Sequence, residues 1–115
     1  MSGLTNGFRY AFKGLCLAWM RGINFRIEIL SVLLVLTFAW LLRFSPAEYT
    51  VLILAITLVL AAETFNTALE ELCDKFQPTH DPHIEKIKDL SAAAVLITAL
   101  GALCVGIAIT IPHVW

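Results

Sequence analysis

Apolar positions in this chain gather into three blocks, and the polar positions between them fall in short clusters. The blocks are Ile29 to Leu42 (ILSVLLVLTFAWLL), Val51 to Ala62 (VLILAITLVLAA) and Ala92 to Ile111 (AAAVLITALGALCVGIAITI). A helix needs roughly 20 apolar residues to cross the hydrocarbon of a bilayer. The third block reaches that length, and the first two take length from their flanks. Ahead of them, Leu4, Phe8, Ala11, Phe12, Leu15, Ala18, Trp19 and Ile23 recur at three- and four-residue steps, while Arg9, Lys13 and Arg21 fall mostly on other sides. That period predicts an amphipathic helix over residues 4–23, lying on a membrane surface with Trp19 as interfacial anchor. The expected architecture is an all-α integral membrane protein: the surface helix, then helices near 26–43, 46–76 and 88–111 that contain the spans. No linker or repeat divides the 115 residues, so a single domain is expected.

The second long helix has a marked start. Ser45, Pro46 and Glu48 supply an N-cap, a proline at the first helical position and a capping-box partner. From Pro46 to Phe76 it would run about 45 Å, against a hydrocarbon core of about 30 Å, so it must emerge. Glu63 lies about 25 Å from its start, at headgroup depth. In the third block Ala94, Thr98, Ala102, Gly106 and Thr110 form a stripe of small residues, expected to pack closely against another helix.

Composition fits the membrane class, with 59% apolar and 15% charged residues. The net charge of −1 and the absence of a basic stripe argue against nucleic acid as a partner. The N-terminus lacks the pattern of a cleaved signal peptide. Cys16, Cys73 and Cys104 are odd in number and far apart, and are expected to be reduced. The distribution of lysine and arginine sets an orientation. Four precede the first block, one lies between the first and second, three lie between the second and third, and none follows. This bias puts the N-terminus and the second connection in the cytoplasm and the C-terminus outside.

Candidate chemistry begins where the second block ends, in ETFNTALEELCD (63–74). At about 100° per residue, Asn66, Thr67, Glu70 and Asp74 fall within about 60° of Glu63, and Glu71 stands about 80° away. One reading is a solvated helix end, which suits Glu71 and Asp74. The other is a magnesium site acting at headgroup depth, since Mg2+ takes hard oxygen ligands from one or two carboxylates plus phosphates. Lys88 and Asp89, at the entry to the third block, read either as a snorkelling lysine and a helix-start aspartate or as a phosphate site beside the acids. In QPTHDPHIEK, His80, Asp81 and His83 allow a transition-metal site in principle. The simpler expectation is that Asp81-Pro82 starts a short helix or turn, with the histidines exposed.

These blocks resemble the signatures of the small bacterial membrane lipid kinases, a family that includes diacylglycerol kinase and undecaprenol kinase. ETFNTALEELCD is similar to E-x-x-N-[ST]-A-[IL]-E-x-x-x-D, IKDLSAAAVL to K-D-x-x-[AS]-A-A-V-L, and FRYAFKGL to F-x-Y-A-x-x-G-[IL]. They occur in the family's order and cover nearly the whole chain. The resemblance implies a homotrimer of three-span subunits in the bacterial cytoplasmic membrane. It implies transfer of the γ-phosphate of Mg-ATP to a lipid hydroxyl, at a cytoplasmic site between neighbouring subunits. By matching positions, Glu63 would be the general base and Asn66 would orient the site. Glu70 would bind Mg2+ and position ATP. Tyr10, Asp74, Lys88 and Asp89 would complete the nucleotide site. Trp19, Asn24, Phe25, Arg26 and Glu28 would flank the lipid alcohol. The HDPHIEKIKD connection is more similar to the undecaprenol branch, with diacylglycerol left open. One departure stands out: the family places a metal-binding glutamate where this chain has Gly22, and Glu28, six residues on, is expected roughly on the opposite side of a helix. Three functions therefore follow: an active lipid kinase, a degenerate or non-enzymatic membrane protein, and an ion conductor built on the acidic stripe. The first two apolar blocks offer only Ser31, Thr37 and Thr57 as polar positions, which argues against conduction.

Overall fold

The computed structural model describes residues 2–76, 79 and 81–115. They form four helices: α1 (Ser2–Arg21), α2 (Ile23–Leu41), α3 (Pro46–Phe76) and α4 (Pro82–Val114). The last three are long and apolar enough to cross a membrane. The all-helical, three-span architecture expected from the block pattern is therefore present.

Local chemistry explains each boundary. Gly22, with extended backbone, separates α1 from α2. The N-terminal helix is thus an element of its own rather than an extension of the first span. At the end of α2, Arg43 takes a left-handed φ of 60°. The Arg43 N–H donates to Trp40 O at 3.2 Å and the Phe44 N–H to Ala39 O at 3.0 Å. This is a Schellman closure with arginine where glycine is usual. The capping box at α3 forms as the sequence predicts: the Ser45 N–H donates to Glu48 Oε1 at 2.8 Å and the Glu48 N–H to Ser45 Oγ at 3.2 Å. α4 begins earlier than the apolar block suggests. The Asp81 carboxylate accepts from the His83 and Ile84 N–H groups at 2.8 and 3.1 Å, and Pro82 occupies the first helical position. The expected short helix or turn at Asp81-Pro82 is the first turn of α4 itself. His83 is exposed, and His80 lies outside the described residues. Inside the spans, hydroxyls return to their own helix: Ser31, Thr37, Thr50, Thr57, Thr64 and Thr67 each donate to a carbonyl four residues back. Such bonds satisfy polar side chains where lipid offers no partner.

α3 and α4 make the main packing contact, and they run antiparallel in a register fixed at both ends. Lys88 Nζ meets Asp74 Oδ1 at 2.5 Å at one end. At the other, His113 Nε2 lies 2.9 and 3.0 Å from the two Glu48 carboxylate oxygens. Phe44 stacks on the His113 ring with centroids 4.8 Å apart, tying the α2–α3 turn to the same clasp. The register sets Ser91, buried on α4, level with Glu70 and Glu71 on α3.

The molecule is an open layer of 51 × 42 × 20 Å. Few apolar residues are buried within it: Ala18, Phe25, Ala39, Leu52 and Cys73. That is the pattern of a chain whose apolar surface is covered from outside. The small-residue stripe of α4 shows the same. Ala102, Gly106 and Thr110 line a groove of 760 Å³ shared with α2 and α3, Ala94 is exposed, and a Cβ added at Gly106 would meet nothing within 4 Å. The close packing expected of this stripe is not made within the described residues of one chain. The cysteines are free, with Cys73 buried and Cys16 and Cys104 exposed.

Candidate active site

Two ionisable or strongly polar side chains of α3 are buried, and they stand one turn apart. Glu63 is 4% exposed and Asn66 is 7% exposed. Asn66 Nδ2 donates to Glu70 Oε1 at 2.9 Å, and Thr67 Oγ1 donates to the Glu63 carbonyl at 3.0 Å. The helical geometry read from the sequence therefore delivers a face on which Glu63, Asn66 and Glu70 form a chain. Asn66 can play this part because an amide donates to a carboxylate and keeps a carbonyl acceptor free for another group. Asn66 Oδ1 is enclosed and has no hydrogen-bond partner among the described residues.

Two helices flank this face. α1 lies against Thr64, Thr67, Ala68 and Glu71, with a slot of 230 Å³ between them lined on its own side by Gly14, Leu17, Ala18 and Arg21. Those α3 positions centre about 90° round the helix from Glu63. α4 lies on the other side, against Ala55 and Val59, centred about 60° away in the opposite sense. Glu63 and Glu70 therefore lie on the sector of α3 between those two helices, Glu63 buried and Glu70 exposed. Arg21 Nη1 bonds Glu71 Oε1 at 2.6 Å from the α1 side. Lys88 bonds Asp74 from the α4 side and also lies in the field of Glu70.

α2 adds a third carboxylate. Glu28 is half-buried with Ser31, Val32 and Val35 against Ile56, Val59 and Leu60 of α3. Its charge and that of Glu63 repel one another. Glu28 Oε2 has no hydrogen-bond partner among the described residues. Sequence spacing set Glu28 away from the Gly22 position, and the fold nonetheless turns it toward Glu63.

The remaining predicted residues distribute unevenly. Arg26 is half-buried at the α1–α2 joint, with Nη2 3.5 Å from Met20 O and an enclosed Nε that finds no partner among the described residues. Phe25 is buried against the same joint, whereas Asn24, Trp19 and Asp89 are exposed. Tyr10 is exposed on α1, about 16 Å along that helix from Arg21. The fold thus links Glu28 with Glu63, Asn66 with Glu70 and Lys88 with Asp74 along one side of α3. Sequence reasoning assigned no part in the site chemistry to Arg21, Glu71 or Ser91. The signal available for Arg21 and Glu71 was opposite charge on two helices expected to meet at the membrane surface.

The donor set suits a hard cation. Carboxylates, an amide carbonyl and two enclosed oxygens without described partners, Asn66 Oδ1 and Glu28 Oε2, are oxygen ligands. Among the described residues no group of three or more His, Cys, Asp or Glu converges tightly enough to hold a metal unaided. Mg2+ ordinarily binds through one or two carboxylates together with water and substrate phosphates, so the residues present fit it as a shared ion.

Comparison with known proteins identifies the family. The profile of the prokaryotic diacylglycerol kinase family matches residues 9–110. The chain is 38% identical over 110 residues to a diacylglycerol kinase of Synechocystis, an alignment covering 95% of this chain and 63% of the relative. It therefore spans less than two thirds of that protein's length. It is 32% identical over 109 residues to the diacylglycerol kinase of Escherichia coli K12, covering 89% of each chain. It is 29% identical over 89 residues to the undecaprenol kinase of Bacillus subtilis, covering 77% of this chain and 72% of the relative. Every residue of the acidic face lies inside the matched span, and the chain belongs to the prokaryotic diacylglycerol kinase family.

Proposed function

We propose that this protein is a lipid kinase that transfers the γ-phosphoryl group of ATP to the hydroxyl of a membrane lipid alcohol. The observation that carries the reading is the buried Glu63 one turn from the Asn66–Glu70 hydrogen bond, on a face flanked by Lys88. Relatives named diacylglycerol kinase and undecaprenol kinase support the class of acceptor.

Each residue has a part in that chemistry. Glu63 accepts the proton of the lipid hydroxyl as its oxygen attacks the γ-phosphorus, and ADP leaves with the bridging oxygen. Phosphoryl transfer asks the protein chiefly for positioning and charge neutralisation. Asn66 holds Glu70 in place through a charge-assisted hydrogen bond and orients it relative to Glu63. Lys88 can leave Asp74 for a phosphate, because an ion pair this exposed is weakly held. Glu70, hydrogen-bonded to Asn66, would hold Mg2+, which would supply charge neutralisation on the phosphates. Asp89 and Tyr10 are assigned to the nucleotide by resemblance. Trp19, Asn24, Phe25 and Arg26 are assigned on the same ground to the lipid side of the α1–α2 joint.

Orientation follows from the charge bias, with the N-terminus and the α3–α4 connection in the cytoplasm of a bacterium, where ATP is found, and the C-terminus outside. The resemblance implies a homotrimer, and the open groove along α2, α3 and α4 leaves apolar surface for a neighbouring subunit to cover.

The test is purified protein with Mg-ATP, offered undecaprenol and diacylglycerol side by side. Transfer of labelled phosphate to one of them is the expected result and identifies the acceptor. No transfer to either, under conditions where a family member is active, refutes the kinase reading. That outcome would favour the degenerate alternative raised by Gly22.

A further inference from the structure

Arg21 is absorbed by none of the assignments above, yet it stands at the site. It is the last residue of α1, next to the chain break at Gly22. Among the described residues, the cations bonded to the carboxylates of the stripe are Arg21, on Glu71, and Lys88, on Asp74. They reach α3 from different helices on different sides, and the gap between them holds Glu70, which is exposed, with Glu63 buried one to two turns deeper. A nucleotide entering this gap brings a polyphosphate against four carboxylates: Glu63, Glu70, Glu71 and Asp74. Repulsion of that kind must be offset by cations placed where the phosphates lie, and a single lysine on one side leaves the other side uncompensated.

We propose that Arg21 is a second phosphate-binding cation of the nucleotide site, opposed to Lys88 across the gap, and that Glu71 holds it in position until the nucleotide arrives. This inference rests on the lipid-kinase reading for the identity of the nucleotide. Its physical support is threefold. Guanidinium presents a planar fork that matches phosphate oxygens two at a time. The side chains of Arg21 and Glu71 are 60% and 54% exposed, so the pair is weakly held and the exchange of partners is easy. An open slot lies behind the pair, lined by Gly14, Leu17, Ala18, Thr64, Thr67 and Ala68, and leaves the guanidinium room to turn.

The two roles, phosphate ligand and helix tether, differ in their response to removing one partner or the other. A tether is broken equally from either end. A phosphate ligand is lost only with the arginine. The experiment measures Mg-ATP affinity by titration calorimetry on purified wild type, Arg21→Gln, Arg21→Lys, Glu71→Gln and the Arg21→Gln/Glu71→Gln double variant, with thermal unfolding of each. The expected result is a loss of affinity of about tenfold for Arg21→Gln and for the double variant. Arg21→Lys should fall between these and wild type, and Glu71→Gln should bind as well as wild type or more tightly. Equal losses for Arg21→Gln and Glu71→Gln, or unchanged affinity for Arg21→Gln, would overturn the proposal. If wild type binds Mg-ATP and the pattern holds while no lipid is phosphorylated, the inference stands and the acceptor reading fails. If wild type binds no Mg-ATP, both fall together.

Discussion

Replacing Glu63 by Gln separates chemistry from support of the fold, because the structure sets opposite signs for the two. The substitution keeps shape and keeps an oxygen for neighbouring donors, and it removes the charge that would take the proton. Positioned general bases contribute about 10²- to 10⁴-fold in rate. That is about 3–5 kcal/mol of transition-state stabilisation. The same charge is costly to the folded protein, since Glu63 is buried and repelled by Glu70 and Glu28. Glu70 lies seven residues along the helix, about 10.5 Å away by rise. Coulomb's law then gives a repulsion of about 0.4 kcal/mol in water and about 1.6 kcal/mol at an effective dielectric of 20. Glu63→Gln is therefore expected to lower turnover by at least about 10², while thermal stability in detergent holds or rises. The assay is phosphate transfer from labelled Mg-ATP to the lipid alcohol in mixed micelles, alongside a melting curve of the same preparation. A loss of turnover smaller than about tenfold would remove Glu63 from the role of base. A large loss accompanied by a lower melting temperature would make it a structural residue instead.

Three further outcomes are expected. Gly22→Glu adds a carboxylate at the α1–α2 joint, where a new Cβ would lie 3.1 Å from Ala18 O and 3.4 Å from Phe25 Cβ, so α1 must shift slightly; half-saturation of turnover should move to lower magnesium, and an unchanged magnesium titration would show that the position does not reach the ion. Arg43→Gly relieves a left-handed arginine, which costs about 1–2 kcal/mol, against about 0.4–1 kcal/mol of added unfolded-state freedom. The net gain is on the order of 0.5–1 kcal/mol, read as a higher melting temperature in detergent, and a decrease would count against the Schellman assignment. His113→Ala removes the ring that both oxygens of Glu48 and the face of Phe44 hold. The melting temperature should fall while the affinity for Mg-ATP is unchanged, and a loss of that affinity would contradict the separation of the two ends of α3.

The sequence alone determined the helices, their approximate ends and the composition of the acidic face of α3. These follow from local rules: a 3.6-residue period, a capping box at Ser45 and the fixed angle between Glu63, Asn66 and Glu70 along one helix. It also carried the family signatures, because those residues are close together on α3 or at the start of α4. What it did not determine is what approaches that face from other helices. Glu28 turns toward Glu63, Arg21 reaches Glu71 across 50 positions, and His113 closes on Glu48 across 65. Such pairings depend on how helices dock, and periodicity along one segment has no information about the rotation of its neighbour. The small-residue stripe makes the same point from the other direction. Its spacing marks a surface fit for close approach, but only the tertiary structure shows that, within one chain, Gly106 meets nothing and the stripe opens onto a groove.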